Sequence, residues 1–354
     1  MKIAMMGGWN TDSGASFHAE LVGRNWVAQG HKLNIFTFYD YAFHGTQITG
    51  KDEDYVERCF TVSSYNPPNL NPIPFLTNDY DIFVVQDLGM LPKDELGKIF
   101  HRIKRRAKVV QVIHDGKLAE DPSFYQFEWD AIVCFDERYR KFLLSAYDPE
   151  KVHIIPYPCL PYAPGDKKAK RKKLGLPNDK HIVFSFGPAS KTTLEVMPSI
   201  EKLSSKYPIL VLTVTKDKSA IEGFVEARNR LAPTLDIEIR EEAPPTDILY
   251  DYLQGVDVLV FNKPSTPQVV VSSTAFQCLG SGCPIVAKNS NYMDFFDKEV
   301  MRYSDMSTFK LHLTSIFEQG QGYKRTLESA KRYVIENSAQ EIAKKYIELF
   351  KSLT

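Results

Sequence analysis

Short apolar runs recur along the whole chain, and helical segments separate them. "KIAMM", "KLNIFTF", "DIFVVQ", "KVVQVIHD", "DAIVCF" and "VHIIPYP" return in order. Between them lie "SFHAELVGRNWVAQG", "KDELGKIFHRIKRRA" and "ERYRKFLLSAY", with apolar residues at helical spacing. Runs of this length that are apolar on both faces cannot sit at the edge of an open, one-sided sheet. They predict strands of a parallel sheet covered by helices on both sides, joined by right-handed crossovers. After a basic, proline-containing stretch, "CLPYAPGDKKAKRKKLGLPNDKH", the pattern restarts with "IVFSFG", "ILVLTVT", "LDIEI", "VDVLVF" and "PIVAK". The reading is α/β, with two doubly wound Rossmann-like domains over 1–165 and 166–335. The terminal "LESAKRYVIENSAQEIAKKYIELFKSL" is a helical pair, its last helix a separate element over 336–354.

Composition narrows the function. The chain has 354 residues, of which 43% are hydrophobic, enough for two sizeable cores. Forty-four Lys and Arg balance 44 Asp and Glu, so no global field draws the chain to nucleic acid, and no nucleic-acid partner is expected. The five cysteines include no CxxC pair, Cys134 and Cys278 read as small core residues, and the set fits a reducing cytoplasm. The first apolar run is too short for a signal peptide, and no run reaches the roughly 18 residues of a membrane span. The Lys167–Lys173 run, "KKAKRKK", reads as a solvated helix opening the second domain, since no aromatics interleave it. The helix "KIFHRIKRRAK" has an apolar face of Ile99, Phe100 and Ile103 that fits either the sheet or peripheral contact with a membrane surface.

Ligands of open parallel sheets bind beyond the carboxyl ends of the strands, and three such places carry suitable residues. The loop "MMGGWNTDSGASFH" surrounds Gly14 with Asp12, Ser13 and Ser16; its backbone N–H groups suit an anion or sugar hydroxyls, or form a plain strand–helix turn. "QVIHDGK" puts His114 and Asp115 at a strand tip, where histidine can donate to a substrate hydroxyl or cap the next element. "FSFGPASKTT" ends a strand with Gly187, followed by Ser190 and Lys191, a lysine placed for a diphosphate. A fourth place is "PSTPQVVVSSTAFQCLGSG", where Ser272, Ser273 and Thr274 open a short helix as caps or phosphate ligands. In "IFTFYDYAFHG", Tyr39, Tyr41 and Phe43 suit either sugar stacking or loop packing. No His/Cys cluster has metal-ligand spacing, and no metal or other cofactor is expected.

These stretches, in their order and spacing over nearly the whole chain, resemble the GT-B glycosyltransferases, most closely the retaining family 4 type. "DSGASFHAELVGRNWVAQGHKLNIFTF" is similar to their glycine loop and first helix. "KRKKLGLPNDKHIVFSFG" is similar to the start of their second domain, "ILYDYLQGVDVLVFNKPS" and "CLGSGCPIVAKNS" to the segments around their donor motif, and "YVIENSAQEIAKKYIELFKSL" to their last helix. The resemblance implies two Rossmann-like domains facing a cleft, with that helix crossing back to the first domain. It implies a nucleotide-sugar donor, such as a UDP- or GDP-sugar, on the C-terminal domain. The acceptor, on the N-terminal domain, would be a sugar, glycolipid or small metabolite. By the same resemblance, Gly14 approaches the donor from the N-terminal side, His114 contacts the transferred sugar, and Lys191 offsets charge on the leaving diphosphate. Gly187, Ser190 and the Val271–Thr274 backbone hold the donor's phosphates and sugar, and Gln277 reaches its ribose. Asp12, Ser16, Asp115 and Tyr41 are the acceptor-side candidates.

Two departures from the family pattern stand out. The paired glutamates of the donor segment are replaced by Val269 and Gln277, and Pro188 stands where an arginine usually follows the glycine turn. The chemistry implied is a metal-independent, retaining transfer without a dedicated base, in which fixed donors stabilise charge building on the phosphate. The alternatives are a sugar-nucleotide 2-epimerase-like enzyme, which shares the fold, and a non-catalytic nucleotide-sugar-binding homologue.

Overall fold

A computed structural model describes residues 1–42, 49–231 and 234–354. The chain forms two compact units. Unit 1 gathers Met1–Pro158, Gln268–Ser273 and Asn337–Thr354; unit 2 gathers Cys159–Pro267 and Thr274–Glu336.

Unit 1 is built on strands β1 (Lys2–Met6), β2 (Lys32–Phe38), β3 (Val56–Phe60), β4 (Ile82–Gln86), β5 (Lys108–Val112), β6 (Ala131–Cys134) and β7 (Val152–Ile154). They form one parallel sheet in the order β3-β2-β1-β4-β5-β6-β7. Ile3, Ala4, Met5 and Met6 are all buried, so β1 is covered on both faces, as continuous apolar strands require. Helices α1 (Gly14–Ala28), α2 (Ile73–Thr77), α3 (Lys93–Lys104) and α4 (Glu137–Leu143) join the strands. The strand order reverses between β1 and β4, which opens a crevice at their carboxyl ends. Leu96, Ile99, Phe100 and Ile103 of α3 are buried. This helix therefore has no apolar face left for a membrane surface, and the expected peripheral contact loses its physical basis there. Among the described residues no helix is long and apolar enough to cross a membrane.

Unit 2 repeats the scheme with α5 (Lys167–Leu174), β8 (His181–Phe186), α6 (Met197–Ser204), β9 (Ile209–Val214), α7 (Lys218–Leu231), β10 (Asp236–Arg240) and α8 (Thr246–Gly255). It continues through β11 (Val258–Phe261), α9 (Ser273–Leu279), β12 (Ile285–Lys288), β13 (Met301–Tyr303), α10 (Met306–Phe317) and α11 (Gln321–Glu336). Its parallel sheet runs β10-β9-β8-β11-β12-β13, reversing between β8 and β11. Val183, Val211, Val258 and Val286 of the strands pack with Ile200, Phe224 and Phe309 of the helices in one core. The doubly wound α/β reading holds for both units.

The basic run is a helix, as read, and Lys167, Lys168, Lys172 and Lys173 are exposed, but its other face is anchored in the unit. Arg171 is buried, bonding the Gly255 carbonyl at 2.8 Å and Asp257 at 2.6 Å. Lys170 and Lys173 both pair with buried Asp251, whose carboxyl they hold low. These cations fasten α5 to α8. All five cysteines are free and buried.

The terminal segment is a helical pair. Its second member, α12 (Ala339–Leu353), returns to unit 1 and packs on α1. Trp26 of α1 donates from Nε1 to the Ala343 carbonyl at 3.2 Å, and its ring meets Tyr346 and Phe350 at centroid distances of 5.8 and 5.4 Å.

Candidate functional site

In unit 2 the reversal point holds a pocket. It is lined by the end of β8 with Gly187, Pro188 and Ser190, by the end of β11 with Asn262 and Lys263, and by Thr274 of α9. Gly187 has φ +66° and ψ −170°, a conformation that glycine alone adopts at little cost, and the space where a Cβ would stand is open. A 3-10 turn follows, closed by Ser190 N–H on the Gly187 carbonyl at 3.1 Å. Ser190 is 2% exposed, and its Oγ has no hydrogen-bond partner among the described residues. A buried hydroxyl in that condition lacks about 1–3 kcal/mol of bonding that a ligand oxygen would restore. Asn262 is held from three sides: its Nδ2 donates to Thr192 O and Glu195, and its Oδ1 accepts from Tyr303.

The cation of this pocket is not the one the sequence singled out. Lys191 is exposed and does not line it. Asp217, held low first by Ser219, is held low also by the charge of Lys191. Lys263, which the sequence reading missed, does line the pocket, with Nζ 4.3 Å from the centre of the Tyr292 ring. Lys263 stands two residues past a buried strand, the one signal that marked its place. Gln277 donates to Thr246 Oγ1 at 3.2 Å, so part of its amide is engaged within the protein.

The hydroxyl cluster divides. Thr274 and Gln277 belong to unit 2, whereas Gln268–Ser273 packs within unit 1. There Val269 N–H bonds the Gly116 carbonyl at 3.1 Å, and Arg138 reaches the Val270 carbonyl at 3.3 Å. A Cβ on Gly116 would collide with the Val269 carbonyl, so glycine is what admits this segment. Ser272 is buried and Val271 half-buried in the same stretch. Helix α9 has only seven residues. Its offering to an anion is therefore individual N–H groups rather than a long dipole.

In unit 1 the carboxyl ends of β1, β4 and β5 meet. Gly14 opens α1 behind the Ser13 cap, and its carbonyl accepts from Tyr157 at 2.8 Å. A Cβ here would lie 3.2 Å from Ser273 Oγ. His114 shares a 2.9 Å hydrogen bond between Nε2 and Gln86 Oε1, and its ring stands edge-on to His18 and Phe135 at 5.2 and 5.1 Å. Burial lowers His114 to about 3, so the ring is neutral near pH 7. With the Gln86 carbonyl placed there, Nε2 carries the proton and Nδ1 keeps a lone pair to receive one from a ligand hydroxyl. His18 is also held well below its ordinary value, by burial and by His114.

The remaining acceptor-side candidates scatter. Ser16 is fully buried, accepting from Thr11 N–H at 3.1 Å and donating to Glu20 at 2.8 Å. It shapes the loop from inside and offers nothing to a ligand. Asp12 is exposed at the loop tip, and Asp115 is exposed beyond β5. Tyr41 is 63% exposed and stacks on Tyr39 at 5.2 Å with an interplanar angle of 9°. Phe43 lies outside the described residues.

Two Asp-x-Asp triplets also stand in the chain. Asp52 of one bonds Arg58 at 2.7 Å; Asp79 and Asp81 of the other bond Lys2 at 2.5 and 3.0 Å, before β4 and so at the opposite sheet edge from the sites. Among the described residues no three His, Cys, Asp or Glu side chains converge as metal ligands.

No family model matches the chain. Solved structures do. A glycosyltransferase from Rickettsia africae superposes with a TM-score of 0.68 at 14% identity, over 99% of this chain and 98% of that one. The HepE protein of Anabaena, solved in complex with UDP-glucose, gives 0.68 at 14% identity over 99% and 100%. The sucrose-phosphate synthase of Thermosynechococcus elongatus gives 0.67 at 14% over 99% and 98%. The likeness is one of fold over whole chains, and the fold is GT-B.

Proposed function

We propose that the chain is a glycosyltransferase that moves a sugar from a nucleotide-diphosphate sugar to an acceptor hydroxyl. The observation that carries this reading is the unit 2 pocket at the sheet's reversal point. There an open glycine turn, a buried hydroxyl without a partner and a lysine converge beside the start of a helix. These are the groups a diphosphate takes as donors. The GT-B fold, which the HepE complex with UDP-glucose shares, supports the choice of a nucleotide sugar.

In this reading Gly187, Ser190 and Thr274 receive the donor's phosphate oxygens. Lys263 offsets the charge that builds on the diphosphate as the bond to the sugar's anomeric carbon breaks. Lys191, outside the pocket, becomes an auxiliary cation. His114 contributes a neutral acceptor at Nδ1 for a sugar hydroxyl. Charge stabilisation of this kind is supplied by the chain's own fixed donors, which is the basis for proposing transfer that needs no metal. The course proposed is a retaining one, which needs no dedicated base on the attacking face.

The test is nucleotide release from UDP-glucose, GDP-mannose or UDP-N-acetylglucosamine, with and without candidate saccharide acceptors, each with and without EDTA. Acceptor-dependent release that EDTA leaves unchanged is expected. A changed sugar without release would replace this reading with an epimerase, and tight binding without turnover would replace it with a binding protein.

A further inference from the structure

The strongest unassigned feature is in unit 1, a small pocket at the carboxyl end of β5 that is edged by His114 and Asp115 and reached by Gln111. In the β4–β5 pairing Val85 lies opposite Gln111 and Gln86 opposite Val112, so Gln86 and Gln111 point to different faces. Gln111 is 3% exposed, and its Oε1 has no hydrogen-bond partner among the described residues. It lines a small pocket with Asp87, Asp115, Phe124, Tyr125 and Tyr147. The two carboxylates converge: a methyl group built on Gly89 would stand 3.1 Å from Asp115 Oδ2 and 3.4 Å from Asp87 Oδ1. Lys117, also at the pocket, is bonded to Glu120 at 2.8 Å. The pocket therefore gathers two carboxyl groups and a buried, unpartnered amide oxygen against aromatic walls.

We propose that this pocket is a binding site for a protonated primary amine, whose ammonium group takes Asp87, Asp115 and the Gln111 carbonyl as its three acceptors. The count decides the class. An ammonium has three donors and a positive charge, which lets both carboxyls ionise side by side; a hydroxyl has one donor and no charge, and leaves one of them protonated. Burial, and then the charge of Asp115, push the Asp87 carboxyl up to about 7, so that without a cation beside it the group holds a proton for much of the time near neutral pH. Aromatic walls suit the carbon stem of such a ligand and favour a cation at their faces. That the amine belongs to the sugar acceptor rests on the transferase reading; the binding itself does not.

The test is titration of the full chain with glucosamine, methylammonium and glucose, followed by calorimetry or by amide shifts at 86–89 and 111–117. Glucosamine and methylammonium bind, and glucose binds about ten-fold more weakly or not at all. Asp87→Asn, which removes a charge, and Gly89→Ala, which fills the gap between the carboxylates, each weaken the amines about ten-fold or more. Glucose binding as tightly as glucosamine, amine binding indifferent to both variants, or no amine binding up to about 50 mM each overturns the proposal. UDP-glucose titrated separately reports on unit 2, so loss of nucleotide binding with amine binding retained defeats the transferase reading alone.

Discussion

His114 is the residue whose environment makes the sharpest demand. An unfolded histidine titrates near 6.5, whereas this one is held down to about 3 by burial. Between those values the unfolded chain carries a proton that the folded chain refuses. The stability contributed is therefore whole above about pH 6.5 and is lost as pH falls towards 3. Between pH 7 and pH 5 the loss is on the order of 2 kcal/mol. His114→Asn is expected to reduce that acid sensitivity in urea denaturation; an unchanged pH dependence would mean the ring is solvated. Lys263→Ala is expected to lower kcat/KM roughly 100-fold or more, the scale for removing one charge-stabilising group, and Lys191→Ala much less. Equal effects would restore Lys191 to the pocket. What the sequence revealed at this scale followed strand ends. Gly187 and His114 were legible because they directly follow apolar runs, and Ser190 because it stands in the turn that Gly187 opens. Lys263 and Asp87 also follow apolar runs, but nothing in their neighbours distinguishes them from ordinary loop residues. Ser16 misled because a hydroxyl beside a glycine reads alike whether it faces out or caps a loop from inside.

Elements tell a second story, of contacts made far along the chain. Trp26 is fully buried where α12 lies on α1. Trp26→Ala removes a large ring and a hydrogen bond, and a loss of about 3–5 kcal/mol is expected from the denaturation midpoint. A loss below about 1 kcal/mol would mean α12 is only loosely docked. The 3.6 periodicity made α12 legible as a helix, but its partner could be anticipated only from the family resemblance. In the segment Gln268–Ser273, Ser272 and Ser273 were read as part of a helix start, as caps or phosphate ligands. No local pattern marks its pairing with Gly116. Gly116→Ala should push it off, and the Val269 amide should then exchange faster with solvent hydrogen while β1 and β4 stay protected. Unchanged exchange at Val269 would show that the segment can shift to admit a side chain. Helix α5 was legible as a helix with a solvated face, but the anchoring of Lys170 and Arg171 was not, because buried Asp251 and half-buried Asp257 stand some eighty residues further on.

For the molecule as a whole, the alternation of apolar runs and helical segments was enough to specify two parallel α/β units. The strand orders that place each reversal point needed the three-dimensional structure. Because ligands gather at those points, a donor nucleotide is expected to raise the melting temperature. At about 100 times its dissociation constant the added stability is about 2.7 kcal/mol, a shift of several degrees or less in a chain of this size. A thermal-shift series with UDP, GDP and ADP tests this. No shift with any of them would leave unit 2 without a nucleotide. The return of α12 also has a consequence for how the protein is made. Its first 158 residues leave the ribosome well before the helix that covers Trp26 has been translated, and all of unit 2 is synthesised in between. Unit 2 can finish folding on the growing chain, while the earlier half must wait with an apolar flank uncovered, the stretch of biosynthesis in which a chaperone has most to protect.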